Sequence, residues 1–286
     1  MSRIVKLSIS VLAFVVRQLI RMVLSVMGVR RQSRCAVLYY HSVPAEYRDR
    51  FASQLDVILH HTKPLHPELL DSMAANQDYC LVTFDDGFEN FLEVALPELA
   101  SREIPSLMFV ISDALGKSFG PARQPERVMT VDQLRGLPQD LVVIGSHTVN
   151  HPFLPESSDE DARFEISESR IHLEKLLSRT VNFFSFPFGG MTPRLVALCR
   201  EAGYSRVFST LPKTSFQPSD YCLGRVRVDP WDWPAEFRLK LAGAYDWLPA
   251  AIALKRILLA NPIGEALRTA RSPGQKGPTR HSFIHN

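Results

Sequence analysis

Two adjacent carboxylates, Asp85 and Asp86, end an apolar stretch in the segment Thr-Phe-Asp-Asp-Gly. Two histidines four residues apart, His147 and His151, follow later in the chain. One carboxylate and two imidazoles form a three-ligand set for a borderline divalent cation and leave coordination positions open for water and substrate. The other carboxylate is then available to take a proton from that water. These residue types predict a metal-assisted hydrolase.

Each motif also has an ordinary structural explanation. An Asp-Asp-Gly segment is typical of a turn, because Asp caps well and Asp-Gly tolerates left-handed backbone. His147 and His151 could be loop histidines, although their spacing would place both imidazoles on one side of a helical turn that Pro152 soon ends. The hydrolase interpretation therefore depends on both motifs lying at the same edge of the fold.

Short apolar runs alternate with helix-like stretches from Arg34 onward. The predicted strands are Cys35–Tyr40, Cys80–Phe84, Ser106–Ile111, Leu141–Gly145, Phe183–Pro187, Ser205–Ser209 and Cys222–Val226. Most of these runs are continuously apolar or aromatic, as expected for parallel strands covered on both faces. The predicted helices between them are Phe91–Ser101, a helix capped by Ser157 or Ser158 that runs to Leu177, and Pro193–Ala202. Repeated strand–helix units predict an α/β barrel or an open sheet.

Chemistry in such folds lies at the carboxyl ends of the strands. Asp85 and Asp86 end the second predicted strand, and His147 follows the fourth. His41 ends the first strand, and residues 187–189 (Pro-Phe-Gly) end the fifth. This shared edge is the main reason to treat the separate motifs as one site.

The motifs Thr-Phe-Asp-Asp-Gly, His-Thr-Val-Asn-His and Phe-Pro-Phe-Gly resemble the first three motifs of the polysaccharide deacetylases, the NodB-homology group or carbohydrate esterase family four. The resemblance covers about Cys35 to Val228. It implies a distorted (β/α)7 barrel, in agreement with the predicted strands. It also implies that Asp86, His147 and His151 hold a divalent metal, most often Zn²⁺. Asp85 would then be the general base.

The sequence departs from the family pattern in its third and fourth motifs. Ser185 stands where the third motif usually begins with Arg, and no carboxylate follows the Gly203-Tyr204 turn, where the partner of that Arg is expected. The segment Asp229–Trp233 matches the letters of the fourth motif but comes one strand later, and we interpret it as a surface loop or groove rim. Arg225, at the end of the seventh predicted strand, could supply a positive charge beside Asp85. A salt bridge at the rim explains Arg225 equally well.

The family's general acid is a histidine near the C-terminus, but no histidine lies between His172 and His281. His41, at the end of Leu-Tyr-Tyr-His, is found before the Asp-Asp motif instead. This order resembles the circularly permuted members, such as those acting on poly-N-acetylglucosamine of biofilms. The first and last strands of a closed barrel are neighbours, so the permutation would preserve the site. His41 is therefore the predicted general acid, and a structural pairing with a loop carbonyl is the alternative.

Residues 4–29 are mostly apolar, and three interpretations are open. A membrane span would bury Arg17 and Arg21, each at a cost of about 2.5–3.5 kcal/mol near the bilayer centre. On a helical wheel one polar stripe contains Arg3, Ser10, Arg17 and Arg21, opposite a broad apolar face. This pattern predicts an amphipathic helix on an anionic membrane surface. A helix docked on its own domain or on a partner is the third interpretation.

The chain of 286 residues is 45% apolar and 22% charged, which is typical of a globular protein. Its net charge of +3 is too balanced to indicate nucleic-acid binding. We predict a membrane-associating helix over residues 1–33, a catalytic barrel over residues 34–270 and a disordered tail over residues 271–286. The basic helix favours the cytoplasmic face, whereas a spanning helix would allow a periplasmic or extracellular domain.

These features together predict a metal-dependent hydrolase that removes an N-acetyl group from an amino sugar in a glycan or a lipid-linked saccharide. Pro187, Phe188 and Gly189 would contact the substrate, and a backbone N–H near Phe188 would hold the oxyanion. Two alternatives are a deformylase of a formamido sugar and a catalytically silent carbohydrate-binding barrel. The complete set of acidic and imidazole side chains argues against the silent barrel.

Overall fold

The computed structural model describes residues 2–29, 33–216 and 219–260. The predicted tail, residues 271–286, and the last ten residues of the predicted barrel domain lie outside these ranges.

The chain alternates strands and helices, and helix α1 comes first. The strands are β1 (Arg34–Tyr40), β2 (Lys63–Pro64), β3 (Asp78–Phe84), β4 (Ser106–Val110), β5 (Ser118–Phe119), β6 (Glu126–Arg127), β7 (Val142–Ser146), β8 (Phe183–Ser185), β9 (Arg206–Ser209), β10 (Cys222–Gly224) and β11 (Val226–Arg227). The helices are α1 (Arg3–Val26), α2 (Arg48–His61), α3 (Leu96–Ala100), α4 (Val131–Arg135), α5 (Asp159–Leu177), α6 (Pro193–Glu201), α7 (Pro234–Leu241) and α8 (Leu248–Ala260).

The main sheet is a nearly closed barrel of parallel strands. Hydrogen-bonded strands follow one another in the order β10-β9-β8-β7-β4-β3-β1-β11, and β2 pairs with β3. Strands β10 and β11 are separated by Arg225 alone, so they are two halves of the last predicted strand. The first half pairs with β9 and the second half pairs with β1. The seven predicted strands are therefore confirmed, and the barrel is closed by a strand that breaks at Arg225.

The two faces of the barrel wall explain why the strand sequences are continuously apolar. Along β1, Cys35 and Val37 belong to the cluster inside the barrel, whereas Ala36 and Leu38 belong to the layer between barrel and helices. This alternation is the two-residue period of a strand, and both faces are buried. The buried wall leaves the carboxyl ends of the strands as the place where polar side chains collect.

The predicted helices are found with small differences at their ends. Helix α5 begins as expected, because the Ser158 side chain accepts a hydrogen bond from the Asp161 backbone N–H at 3.1 Å. Helix α6 is followed by Gly203 at φ +85°. The predicted helix at Phe91–Ser101 starts with a π-helical turn, Phe91–Ala95, before α3.

Helix α1 is present as predicted, but its polar stripe does not face outward. Arg3 donates two hydrogen bonds to Glu236, and the fully buried Ser10 accepts one from the Trp247 indole at 3.0 Å. Arg17 donates to the carbonyl that follows α7 at 3.3 Å. The polar stripe, which we predicted to face anionic lipid, thus contacts the chain's own domain. Buried acidic groups such as Glu236 require cationic partners, and the stripe supplies them.

Candidate active site

The predicted metal ligands come together at the carboxyl ends of β3 and β7. Asp86 Oδ1 lies 3.6 Å from His147 Nε2 and 3.5 Å from His151 Nε2. One ligand atom from each of the three side chains lies within 4.8 Å of the others. Asp86 and His147 are buried and His151 is nearly so. Two imidazole nitrogens and one carboxylate oxygen are a donor set that suits Zn²⁺ and related divalent ions.

A loop, and not a helical turn, brings His147 and His151 together. Thr148 and His151 both adopt left-handed backbone, at φ +71° and +61°. The Thr148 hydroxyl accepts a hydrogen bond from the His151 N–H at 2.9 Å, and the Glu165 carboxylate accepts from the N–H groups of residues 149–150 at 2.9 Å. The prediction of a shared helical face was therefore wrong. The four-residue spacing is still meaningful, because this loop places the ring centroids 4.8 Å apart.

The protonation states of the two histidines suit metal binding. Burial lowers the pKa of His147 to about 4 and that of His151 to about 3, so both imidazoles are neutral at neutral pH. His147 Nδ1 donates to the Ser185 carbonyl at 2.8 Å, which leaves the Nε2 lone pair directed at Asp86.

Asp86 provides a separate test of whether a cation fits. Its buried Oδ1 atom has no hydrogen-bond partner within the described ranges. Burial and the neighbouring Asp85 charge raise the pKa of Asp86 well above its usual value. A divalent cation among the three side chains would satisfy that oxygen and favour the carboxylate form. The residues present therefore fit the metal that the resemblance implies.

Asp85 is held by a fully buried arginine. Arg225 donates to Asp85 Oδ1 at 2.7 Å and to Oδ2 at 2.8 Å, and it also donates to the Thr83 and Ser185 hydroxyls at 3.1 and 2.6 Å. Burial alone would raise the pKa of Asp85, but the charge and hydrogen bonds of Arg225, together with the nearby His147 and His41, outweigh it and the pKa falls to about 2. The Asp85 side chain is thus a carboxylate with fixed orientation.

The break in the last strand is what turns Arg225 inward. Its guanidinium lies 4.6 Å from the Tyr39 ring centroid and 5.1 Å from that of Phe109. Both rings therefore provide cation–π contacts inside the barrel. Ser185 stands where the third motif of the family usually has arginine, and its hydroxyl accepts a hydrogen bond from this same guanidinium. An arginine from a different strand thus stands beside the Asp85 carboxylate.

His41 lies at the same edge, close enough for its pKa to respond to Asp85, Arg225 and Asp229. Burial is the main effect and lowers the pKa of His41 below its usual value. The imidazole makes no hydrogen bond to any residue that the structure describes, and its ring centroid lies 5.7 Å from that of Tyr39. No loop carbonyl binds it within that part of the chain.

Residues 187–189 form one wall beside the histidines. Pro187 is buried, whereas Phe188 is 62% exposed and lies edge-on to the His151 ring at 4.7 Å. Gly189 has φ +70°, and a Cβ there would collide with the Thr210 hydroxyl. This position therefore requires glycine.

The segment Asp229–Trp233 follows the carboxyl end of β11 and lies at the rim. Asp232 accepts hydrogen bonds from Lys240 at 2.6 Å and from the Asp229 backbone N–H at 3.1 Å. Its charge is thereby matched locally, and it does not take part in the bonds that hold Asp85. Trp231 and Trp233 are 39% and 46% exposed. The structure agrees with the groove-rim interpretation of this segment.

The sequence reasoning missed the β5–β6 hairpin, which covers part of the site. Phe119 lies edge-on to His151 at 5.2 Å. Glu126 accepts hydrogen bonds from Ser42 at 2.7 Å and Asn90 at 3.0 Å, and its charge acts on Asp86. Strands of two residues have no readable period, so Gly120-Pro121 was the available signal for a turn here.

Comparisons with known proteins agree with this geometry. A family model described as "Polysaccharide deacetylase" matches residues 72–207. A Bacillus subtilis protein named as a polysaccharide deacetylase, YxkH, is 26% identical over 151 residues, which cover 52% of this chain and 51% of that protein. Chitooligosaccharide deacetylase from Azorhizobium caulinodans is 25% identical over 161 residues, which cover 56% of this chain and 63% of that protein. The chain thus spans about half to under two thirds of the curated relatives it matches.

Solved structures have the same fold. IcaB from Ammonifex degensii superposes with a TM-score of 0.66 at 25% identity, covering 75% of this chain and 98% of that chain. The Streptococcus pyogenes deacetylase PplD, solved in complex with acetate, has a TM-score of 0.62 at 22% identity, covering 73% and 98% of the two chains. The residues matched by the family model include Asp85, Asp86 and both histidines but not His41 or Arg225.

Proposed function

Because this chain belongs to the polysaccharide deacetylase family, we propose that it hydrolyses the N-acetyl group of an amino sugar in a glycan or a lipid-linked saccharide. This is hydrolysis of a carbon–nitrogen bond other than a peptide bond. The observation that carries the proposal is the joint placement of the Asp86–His147–His151 ligand set and the ionised Asp85 at one strand edge. Neither deformylation nor silent binding is favoured by any contact in the site.

Asp86, His147 and His151 would hold a divalent cation, for which Zn²⁺ is our choice because the donor set is two nitrogens and one oxygen. Such a cation, when bound, polarises the amide carbonyl and lowers the pKa of a water towards ~7. Asp85 would accept the proton that this water loses as its oxygen attacks the acyl carbon. Arg225 keeps Asp85 ionised and fixes both of its oxygens, so we assign it a positioning role.

The departing nitrogen must gain a proton as the C–N bond breaks, and we assign that proton to His41. The imidazole is partly exposed at the strand edge and is not occupied by a hydrogen bond to the described residues. Proton transfer from His41 would release the free amine of the sugar, and the acyl group leaves as acetate. A backbone N–H near Phe188 is our assignment for the oxyanion contact.

The substrate would approach along the exposed aromatic side chains. Phe188 lies beside His151, and the half-exposed Trp231 and Trp233 lie at the rim. Aromatic rings present flat apolar surfaces that match the faces of sugar rings. Pro187 and Gly189 would shape the wall on which Phe188 is held. We also propose contact of residues 4–29 with a membrane surface, the cytoplasmic face being favoured by the basic residues in that segment.

Metal content and acetate release test the proposal together. The wild type and Asp85→Ala are compared on N-acetylated and on N-formylated chitooligosaccharide, with acetate measured for the first substrate and formate for the second. We expect each protein to bind about one equivalent of divalent metal, and we expect acetate from the wild type alone. Acetate release that is unchanged in Asp85→Ala would contradict the role of Asp85. A metal-loaded wild type that releases no acetate from the N-acetylated substrate, whether or not it releases formate from the N-formylated one, would contradict deacetylation.

A further inference from the structure

Helix α1 presents an apolar face to its surroundings and a polar stripe to its own domain. Its outward side chains include Leu12, Val16, Leu19 and Met22, which are 64%, 46%, 55% and 61% exposed. The helix spacing places no charged residue on that side, and the hydroxyl of Ser8 bonds within the helix, to the Ile4 carbonyl at 3.1 Å. A surface helix in water has the opposite arrangement. This face therefore requires a covering that is itself apolar.

The polar stripe fixes α1 along the barrel at several points. Arg3 is bonded to Glu236, Ser10 to Trp247, and Arg17 to the carbonyl that follows α7. Arg3 and Arg17 are fourteen residues apart, or about 21 Å along the helix axis. The outward face is thus held in one orientation relative to the catalytic barrel.

This docking argues against an upright span. Helix α1 has 24 residues and contains an 18-residue stretch with a mean hydropathy of 1.9, so by length and composition it could cross a bilayer. An upright helix would carry the domain segment that binds it into the hydrocarbon, including the buried charges of Asp232, Glu236 and Lys240. Burying such groups in lipid is costly. A helix lying in the membrane plane avoids that cost and still covers its apolar face.

The ends of α1 relate the membrane-facing side to the active site. Arg3 lies over the Trp233 ring at 4.4 Å, at the rim that follows the carboxyl end of β11. Arg17 and Arg34 donate to the same carbonyl after α7, and Arg34 begins β1 at the opposite edge of the barrel. Helix α1 therefore runs along the barrel wall from the catalytic edge to the opposite edge.

We propose that α1 lays the barrel on its side on a lipid bilayer, so that the active-site edge opens along the membrane surface. Sugars at the level of the lipid headgroups would then reach the site past Trp231 and Trp233, residue types that favour the membrane interface. This deepens the proposed function by giving its membrane contact an orientation, and it rests on that function only for the identity of the sugar.

A bilayer is the occupant that the composition of this surface favours. The first 45 residues contain no Asp or Glu, so the segment does not repel anionic lipid. Exposed Ile252 and Leu254 of α8 add apolar surface, and α8 starts directly after Trp247, which binds the middle of α1. Because Arg3 and Arg17 are already paired within the domain, the attraction to lipid is mainly apolar.

Sedimentation of the full chain with phosphatidylcholine vesicles tests this arrangement. We expect the wild type to pellet with these neutral vesicles at both low and high salt. Leu12→Glu/Leu19→Glu should weaken vesicle binding by at least about tenfold, because each buried leucine contributes a factor of that order. Ile171→Glu is the matched control, since Ile171 is also 55% exposed but lies on α5. It should pellet like the wild type.

Several outcomes would overturn the proposal. One is a wild type that stays in the supernatant or pellets only with anionic vesicles at low salt. Another is a double variant that pellets normally. Loss of a dimer in the double variant, with no vesicle binding by the wild type, would identify a second copy of the chain as the occupant.

Cysteine labelling distinguishes an in-plane helix from a span. Ser2→Cys and Met27→Cys are made separately with Cys222→Ser, because the other cysteines are buried. With protein added outside preformed vesicles, a membrane-impermeant maleimide should label both ends of α1. Protection of one end would overturn the in-plane arrangement.

Acetate release from a soluble oligosaccharide separates the two proposals. The Leu12→Glu/Leu19→Glu variant should retain wild-type turnover on that substrate, because both leucines lie on the exposed face of α1 and neither has a role in the proposed site. Vesicle binding without acetate release would contradict the proposed function but not the proposed orientation of α1 on the membrane. Acetate release without vesicle binding would do the reverse.

Discussion

Both oxygens of the Asp85 carboxylate accept hydrogen bonds from Arg225, at 2.7 and 2.8 Å, although 140 residues separate the two in the chain. The pair is buried, and Arg225 enters the barrel at the point where the last strand breaks. A bidentate contact fixes the plane of a carboxylate as well as its charge. The proposed base is thus oriented by the same feature that closes the barrel.

Removal of the Arg225 guanidinium should leave the buried Asp85 carboxylate without its cationic partner. We expect Arg225→Met to lower the free energy of unfolding by about 3–5 kcal/mol, as measured by denaturant titration. Asp85→Asn/Arg225→Met should recover part of that loss, because neither charge of the pair is then left buried without its partner, but it should not recover activity. Equal stability of the single and double variants would contradict a structural dependence of Asp85 on Arg225.

The position of the guanidinium can be tested by moving it. Ser185 Oγ lies 2.6 Å from an Arg225 nitrogen, so an arginine at position 185 could also reach Asp85. We expect Ser185→Arg/Arg225→Ser to have higher turnover than Arg225→Ser alone, as measured by acetate release. Turnover that is no higher in the double variant would show that the charge must enter from the last strand.

The ligand assignment for Asp86 predicts a loss of metal without a loss of fold. Asp86→Asn should weaken metal affinity by more than about 100-fold, since even residues behind the ligands alter it by 10–100-fold. Added Zn²⁺ should raise the melting temperature of the wild type but not of this variant. The matched control is Asp85→Asn, which keeps all three ligands. Normal metal occupancy in Asp86→Asn would refute the assignment.

The role of His41 as proton donor predicts that kcat/KM depends on pH. A proton donor acts only below its pKa, and burial lowers the pKa of His41 below 6.5. The kcat/KM value should therefore fall on the alkaline side as pH rises through that lowered pKa. His41→Gln should reduce turnover by about 10²–10⁴-fold, keep the metal and lose this alkaline limb. An unchanged limb in the variant would assign the proton to another group.

The exposed ring of Phe188 predicts a contribution to substrate binding. Its ring is 62% exposed beside His151, where it could stack on a sugar. Phe188→Ala should raise KM by about 2–10-fold with little change in kcat, on the scale of one aromatic stacking contact. Phe164→Ala, a 53% exposed ring on α5, is the matched control. A fall in kcat with loss of metal would instead show that Phe188 supports His151.

Local pattern was enough to predict the barrel and most of the site. Continuous apolar runs identified the strands because a barrel wall is buried on both faces. Asp85, Asp86 and His147 directly follow such runs, and parallel strands present their carboxyl ends at one edge. The β5–β6 hairpin was missed because strands of two residues have no period.

Strand pattern and motif spacing were sufficient to predict the barrel, the shared edge and the side chains proposed as metal ligands. Tertiary structure alone decided that the last strand breaks at Arg225, that a left-handed loop joins His147 to His151, and that the polar stripe of α1 turns inward. In the first and third cases a charged group finds a partner far away in the chain, Asp85 for Arg225 and Glu236 for Arg3. Periodicity reports which residues share a face, but the direction of that face depends on such distant partners.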